Sequence, residues 1–162
     1  MRVSEKDPPQ FDLVTDWVFE VPPERVWTIL RAVEDWPSWW PSVRKVEPVS
    51  AGDGDGVGAI YRLTWQTALP YSLVLATEVT AIDPMRRIEV RAQDDVEGTG
   101  TWMLRHEAGT TFVRYVWRVG VTRAWMRVGL PLLRPAFAWN PGKVMEAGRL
   151  GLQQRIAAAP HG

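Results

Sequence analysis

The stretch that decides the fold is Asn140-Pro-Gly-Lys-Val-Met-Glu-Ala-Gly-Arg-Leu-Gly-Leu-Gln-Gln-Arg-Ile156. Asparagine is a good N-cap, and a proline in the first turn removes no hydrogen bond that a helix needs, so a helix is predicted to begin here. Its apolar residues share one face: Pro141, Val144, Met145, Gly148, Gly151, Leu152 and Ile156. The same periodicity extends upstream, so one long helix from Arg123 to Ala159, interrupted by prolines near its start, is expected to lie on an apolar support.

Two glycines, Gly148 and Gly151, lie on the apolar face of this predicted helix. Each costs a helix about 1 kcal/mol relative to alanine. Two benefits could offset that cost. Either the helix backbone approaches its support closely, or the missing side chains leave room for a bound molecule.

The chain upstream alternates apolar and polar residues, a pattern typical of half-buried strands. Strands are predicted at 11–21, 43–49, 57–67, 71–82, 87–94, 101–107 and 111–122, with a helix at 23–33 and a looser segment around Gly98 and Gly100. Consecutive strands with tight turns form an antiparallel sheet, and the long helix is available to cover its apolar face. We therefore predict an α+β domain over residues 11–159, a curved sheet of about seven strands around the C-terminal helix, preceded by a flexible arm at 1–10.

The composition excludes several classes of function. In 162 residues, 19 Lys and Arg balance 19 Asp and Glu, so no net charge attracts nucleic acid. Cysteine is absent, which excludes disulfides and thiolate sites and is compatible with a cytoplasmic location. Neither a signal-peptide core nor a run of roughly 18 apolar residues occurs.

Three local patterns carry a family resemblance. They are Val21-Pro-Pro-Glu-Arg-Val-Trp27, Glu34-Asp-Trp-Pro-Ser-Trp-Trp-Pro41 followed by residues 57–65, and Phe137-Ala-Trp-Asn140 with residues 144–152. Together with the order of elements, they resemble the START-like (SRPBCC) superfamily with its helix-grip fold, and within it the polyketide cyclase/dehydrase branch. The resemblance covers roughly residues 11–158. Relatives carry a histidine after the Trp-Asn pair, where Pro141 stands here.

The resemblance implies a deep apolar cavity between sheet and C-terminal helix that binds a lipid-like or aromatic, polyketide-like small molecule. Ten tryptophans fit an aromatic-lined interior, although they could equally fill a solid core. The candidate ligand-binding residues are Tyr61, Trp65, Asp94, Trp102, Tyr115, Trp117, Trp139, Asn140 and Met145. Among them, Tyr61, Asp94 and Asn140 would orient polar ends of the ligand, and the others would contact its apolar body.

The sequence leaves open whether the protein is an enzyme. Two histidines form neither a triad nor a zinc site, and the glycine-aspartate loop at 51–56 lacks the later acidic ligand of a calcium loop, so no metal or cofactor is expected. A cyclase or dehydrase would use a buried Asp94 or a tyrosine for acid–base catalysis. A third alternative is a protein–protein interaction module that exposes the tryptophans of 36–40.

The segment at 123–137 carries Arg123, Arg127 and Arg134 on one predicted face and apolar residues on the other. It could touch a membrane transiently while a ligand is loaded, or it could face the core with a solvated basic edge. Pro131 and Pro135 would suit a gate to the cavity. The expected partner is thus a hydrophobic small molecule, and the chain is expected to be a monomer or a homodimer.

Overall fold

The computed structural model of the chain describes residues 10–66, 72–94, 96–121 and 142–158. In chain order its elements are β1 (Gln10–Phe19), α1 (Pro23–Arg31), a short 3-10 helix (Val33–Asp35), α2 (Trp36–Trp39), β2 (Val43–Ser50), β3 (Ile60–Gln66), β4 (Ser72–Asp83), β5 (Arg87–Asp94), β6 (Val96–Glu107), β7 (Thr110–Val121) and α3 (142–158). The predicted segment at 123–141 lies outside the described residues, as do residues 1–9 of the predicted arm.

The seven strands form one antiparallel sheet in the order β1-β7-β6-β5-β4-β3-β2. From β2 to β7 each strand pairs with its neighbour in sequence, as expected where few residues separate consecutive strands. The first strand, β1, instead pairs with the last strand, β7, so β1 and β2 form the two edges. The predicted curved antiparallel sheet with a C-terminal helix is confirmed, and it is the helix-grip arrangement.

The apolar face predicted for the C-terminal helix is confirmed over α3. Leu152 is 0% exposed and Ile156 6%, whereas the residues opposite them face solvent. Side chains from the N-terminal part of the chain hold the helix at both ends. The Trp40 indole N–H donates to the Val144 carbonyl (2.8 Å), and the Arg25 guanidinium donates to the Ile156 carbonyl (2.6 Å).

The two helix glycines allow close approach of the α3 backbone to its support. A β-carbon at Gly148 would lie 2.5 Å from the Trp40 ring, and one at Gly151 would overlap the Trp39 backbone. Neither β-carbon could be accommodated, because both would lie well inside van der Waals contact distance of their neighbours. Of the two reasons that the sequence left open, close packing against α2 therefore applies at both positions.

The centre of the core is a cluster of five indoles, Trp17, Trp36, Trp39, Trp40 and Trp102. Neighbouring ring centroids lie 5.4–6.3 Å apart, and each residue is at most 8% exposed. Offset and edge-on contacts at such distances stabilise aromatic pairs beyond simple burial. The tryptophans of 36–40 are therefore core residues, so the exposed patch that the interaction-module alternative requires is not found at these positions.

Strand β6 is longer than the sequence predicted. It begins at Val96 rather than at residue 101, so Gly98 and Gly100 are paired strand residues rather than a loosened connection. Strand β3, by contrast, begins at Ile60 rather than at residue 57, because residues 51–58 form a compact loop. No helix within the described ranges is long and apolar enough to span a membrane.

Candidate functional site

A cavity of about 80 Å³ lies between the inner face of strands β3–β7 and the C-terminal part of α1 with the residues that follow it. Its lining is mostly aliphatic and aromatic: Leu30, Arg31, Val33, Trp36, Gly56, Tyr61, Leu63, Trp65, Thr77, Val79, Ile82, Ile88, Val90, Trp102, Tyr115 and Trp117. The volume is that of a space able to hold several water molecules or a small apolar group.

Strand register places the lining residues and their inner-face neighbours in rows across the sheet. One row contains Ile82, Ile88, Trp102 and Tyr115; the next contains Val79, Val90, Gly100 and Trp117; a third contains Tyr61, Thr77, Ala92 and Gly98. Because side chains alternate between the two faces of a strand, every second residue points to this inner face of the sheet. Every residue of the first row has a large hydrophobic or aromatic side chain. The second row contains one small residue, Gly100, and the third contains two, Ala92 and Gly98.

The Tyr115 ring stacks on Trp102, with the ring centroids 4.1 Å apart and the planes 24° apart. Desolvation raises the pKa of the Tyr115 phenol above its usual value, so the hydroxyl keeps its proton at ordinary pH. No hydrogen bond joins the phenolic oxygens of Tyr61 or Tyr115 to another residue in the described part of the chain. A neutral phenol beside a cavity can donate a hydrogen bond to a guest.

Gly100 makes the position of Tyr115 possible. A β-carbon at Gly100 would lie 3.0 Å from the Tyr115 hydroxyl, from a Trp117 ring carbon and from a Val90 methyl group. Glycine inside a strand often marks such close approach. Gly100 is therefore the sequence signal for this part of the wall, although the spacing of Gly98 and Gly100 alone predicts only a loosened segment.

Three neighbouring lining residues, Arg31, Gly56 and Ile82, form a group that we call the rim. A β-carbon at Gly56 would lie 3.0 Å from the Arg31 guanidinium and 3.7 Å from Ile82. The guanidinium donates to the Asp55 carbonyl (2.9 Å) and lies 5.9 Å from the centroid of the Trp27 ring. The rim thus joins the end of α1 to the loop at 51–58.

Asp53 holds the loop at 51–58 in shape. Its carboxylate accepts hydrogen bonds from the backbone N–H groups of Asp55 (2.8 Å) and Val57 (3.1 Å). This is an Asx turn, in which an aspartate takes over a role of the backbone. In the described part of the chain, no three His, Asp or Glu side chains are grouped as metal ligands would be.

Comparison with known proteins identifies the family. The family model described as "Polyketide cyclase / dehydrase and lipid transport" matches residues 10–156. The chain belongs to this polyketide cyclase/dehydrase family. No curated protein matches the sequence significantly.

Solved structures of low sequence identity share the fold of this family member. The protein TTHA0849 from Thermus thermophilus is 22% identical, with a TM-score of 0.76 over 91% of this chain and 97% of its own. The Zhui aromatase/cyclase from Streptomyces sp. R1128 is 18% identical (TM-score 0.73; 92% and 94% covered). A START superfamily protein from Mycobacterium smegmatis is 17% identical (TM-score 0.69; 91% and 97% covered). At these identities, the likeness shows a START-like fold.

Five of the nine predicted site residues of this family member line the cavity: Tyr61, Trp65, Trp102, Tyr115 and Trp117. The structure places Met145 elsewhere, half-buried on α3 and packed against the hydrophobic core. Asp94 is paired opposite Leu75 at the end of β5, and its side chain is outside the described part. Trp139 and Asn140 lie outside the described residues.

Over the described residues, the cavity meets the end of α1 rather than α3. The reason is steric, because Trp39 and Trp40 occupy the space against Gly148 and Gly151. The predicted part of the C-terminal helix at 123–141 lies outside the described residues, so a cavity between the sheet and that helix stays a prediction.

Several lining residues were missed by the sequence predictions, including Leu30, Arg31, Trp36 and Gly56. They belong to a helix end, a short helix and a loop. Strand parity identifies residues that point to one face of a sheet, but it says nothing about which loop or helix end faces them. The long-range contact between α1 and the loop at 51–58 could be found only from the three-dimensional structure.

Proposed function

We propose that this protein binds a hydrophobic small molecule, aromatic or lipid-like, in the cavity beneath α1. The observation that carries the proposal is the lining itself, in which the rings of Trp65, Trp102, Tyr115 and Trp117 surround a space with few polar groups. Pockets of this composition, with a few convergent hydrogen-bonding groups, are typical ligand sites. The family match, which names polyketide cyclases and lipid transport, supports the same function.

The hydroxyl groups of Tyr61 and Tyr115 supply the polar contacts of the proposed site. Both residues are half-buried, and a carbonyl or hydroxyl of the guest would give either phenol a hydrogen-bond partner. An aromatic guest with one oxygen substituent would therefore place its ring between indoles and its oxygen near a phenol.

The size of the cavity limits what it can enclose. A single water needs roughly 10–15 Å³ of such space, so about 80 Å³ takes on the order of six water-sized atoms, less than the roughly 150 Å³ apolar cavity that takes up benzene. A larger guest requires the walls to move. We expect single-ring compounds to bind with a small outward movement of the walls and larger ones to bind with a slower association rate.

A cyclase or dehydrase is the second candidate function, supported by the family match. Tyr115 suits hydrogen-bond donation better than base catalysis, because desolvation raises the pKa of its phenol and disfavours the phenolate. Asp94 is the remaining candidate base. If the protein is an enzyme of this class, Asp94→Asn abolishes turnover and leaves ligand affinity nearly unchanged; a pure binding protein shows no turnover in either form.

Native mass spectrometry of the purified protein tests the binding proposal most directly. We expect an adduct that is lost on denaturation and whose released molecule is apolar or aromatic. Gly100→Ala, which crowds the Tyr115 side of the cavity, should reduce the adduct, and Gly54→Ala, at an open loop position, should not. Absence of any adduct, together with no binding of a panel of neutral single-ring probes by calorimetry, would overturn the proposal.

A further inference from the structure

We propose that the guest of this cavity is an acid, whose anionic group is held by Arg31 at the rim while its apolar body lies among the aromatic walls. This inference rests on the proposed binding function and specifies its ligand class. Among the residues described as lining the cavity, Arg31 alone carries a charge. An apolar site with one charged group at its edge selects molecules that have one charged end.

The hydrogen bonding of Arg31 leaves capacity for a ligand. A guanidinium has five N–H donors in a planar fork, and the hydrogen bond to the Asp55 carbonyl uses one of them. Within the described part of the chain, Arg31 forms no ion pair with a carboxylate. The fork geometry matches a carboxylate or a phosphate, each of which can accept two parallel hydrogen bonds.

The surroundings of Arg31 strengthen its attraction for an anion. The side chain is half-buried, packs near the Trp27 ring and borders a low-dielectric cavity, so its charge is screened less than that of an arginine in open water. The bond to the Asp55 carbonyl also fixes the head group at the rim before a ligand arrives. A positioned cation loses little conformational entropy on binding.

A purely structural role is the competing explanation. Arg31 could serve only to tie α1 to the loop at 51–58, through Asp55. The two explanations differ in one measurable property: a structural tie makes no distinction between an acid and its neutral isostere.

Matched probes make this distinction. We would measure, by calorimetry, the binding of 4-ethylbenzoate and 4-ethylbenzamide, which share a shape and differ in charge, and of 4-ethylphenyl phosphate. The wild-type protein should bind the benzoate about 10- to 100-fold more tightly than the benzamide, the range expected for a charge-assisted hydrogen bond. The phosphate arm distinguishes the two anionic head groups that fit the fork.

Three variants test whether Arg31 causes the preference for the benzoate over the benzamide. Arg31→Met keeps the apolar stem and should remove the preference for the benzoate, while the benzamide affinity reports that the cavity is intact. Arg31→Lys keeps the charge without the fork and should retain part of the preference. Arg44→Met, at an exposed position on β2 outside the cavity, is the matched control and should behave as wild type.

The outcomes separate this inference from the proposed function. If benzoate and benzamide bind equally well, or if the preference survives in Arg31→Met, the acid proposal is overturned and the binding function stands. If none of the probes, charged or neutral, binds to the wild-type protein, both proposals fail. If the phosphate binds and the benzoate does not, the ligand is an acid of the phosphate class and the role of Arg31 stands.

Discussion

The backbone of Gly151 in α3 packs directly against the backbone carbonyl of Trp39 in α2, in a contact that leaves no room for a side chain. One turn earlier, Gly148 lies against the Trp40 ring, whose N–H donates to the Val144 carbonyl of the same helix. Two segments separated by about a hundred residues in sequence are therefore joined at one point. The C-terminal helix and the tryptophan cluster form a single packed unit.

Gly151→Ala should destabilise the protein strongly. Alanine adds up to about 1 kcal/mol of helix propensity, but the overlap with Trp39 forces the helices apart at a cost of roughly 3 kcal/mol or more, so the net loss is about 2 kcal/mol or more. Gly142→Ala, near the start of α3 with open space around it, is the matched control and should be neutral or mildly stabilising. Urea unfolding measures both. Equal stability of the two variants would show that the contact between α3 and α2 can relax at no cost.

Gly100→Ala should weaken ligand binding more than it weakens folding. The new methyl group meets Tyr115, Trp117 and Val90 at 3.0 Å, so the rings must shift by a few tenths of an ångström into the cavity. We expect a tenfold or greater loss of affinity for neutral single-ring probes, with about 1 kcal/mol of destabilisation. Calorimetry measures the loss of affinity, and thermal unfolding measures the destabilisation. A variant with unchanged affinity would place the ligand away from Tyr115.

Trp40 and Trp117 should differ in their contribution to stability. Trp40 is 0% exposed, touches several other indoles and bonds to α3, so Trp40→Ala should cost about 3–5 kcal/mol. Trp117 is half-buried and borders a space that already exists, so Trp117→Ala should cost less and enlarge the site. Chemical unfolding of the two variants without ligand tests this order, and the reverse order would mean that Trp117 belongs to a solid core.

Stability at alkaline pH should depend on Tyr115. Its pKa is raised in the folded state, so below about pH 10 both states keep the proton and this group adds no pH dependence. Above about pH 10 the unfolded chain releases the proton and the folded chain retains it, so stability falls by up to about 1.4 kcal/mol per pH unit. Tyr115→Phe should lose this component. Parallel stability curves of the two proteins between about pH 9 and about pH 11.5 would contradict the assignment.

Much of this architecture follows from local patterns in the sequence. Period-two alternation placed Tyr61, Trp65 and Trp102 on the inner wall, and helical periodicity placed Leu152 and Ile156 against the core. In both cases a residue's direction is set by its own strand or helix, and short-range spacing is sufficient to read it.

The remaining features depend on contacts between distant segments. Arg31 reaches the rim because the loop at 51–58 folds back to the end of α1, and no periodicity encodes that meeting. Trp39 and Trp40 fill the space under α3 because the helix glycines let it descend onto them. Two explanations for those glycines were compatible with the sequence, and only the packing could decide between them.

The tryptophan cluster makes ligand binding in the interior measurable by intrinsic fluorescence. Trp102 is part of the cavity wall and lies 5.5–6.3 Å from the rings of Trp17, Trp36 and Trp40, distances at which excitation passes readily between indoles. A molecule that stacks on Trp102 therefore changes the emission of the whole group. The chain carries a built-in fluorescent reporter, and titrating a candidate compound while recording its intrinsic emission requires no label.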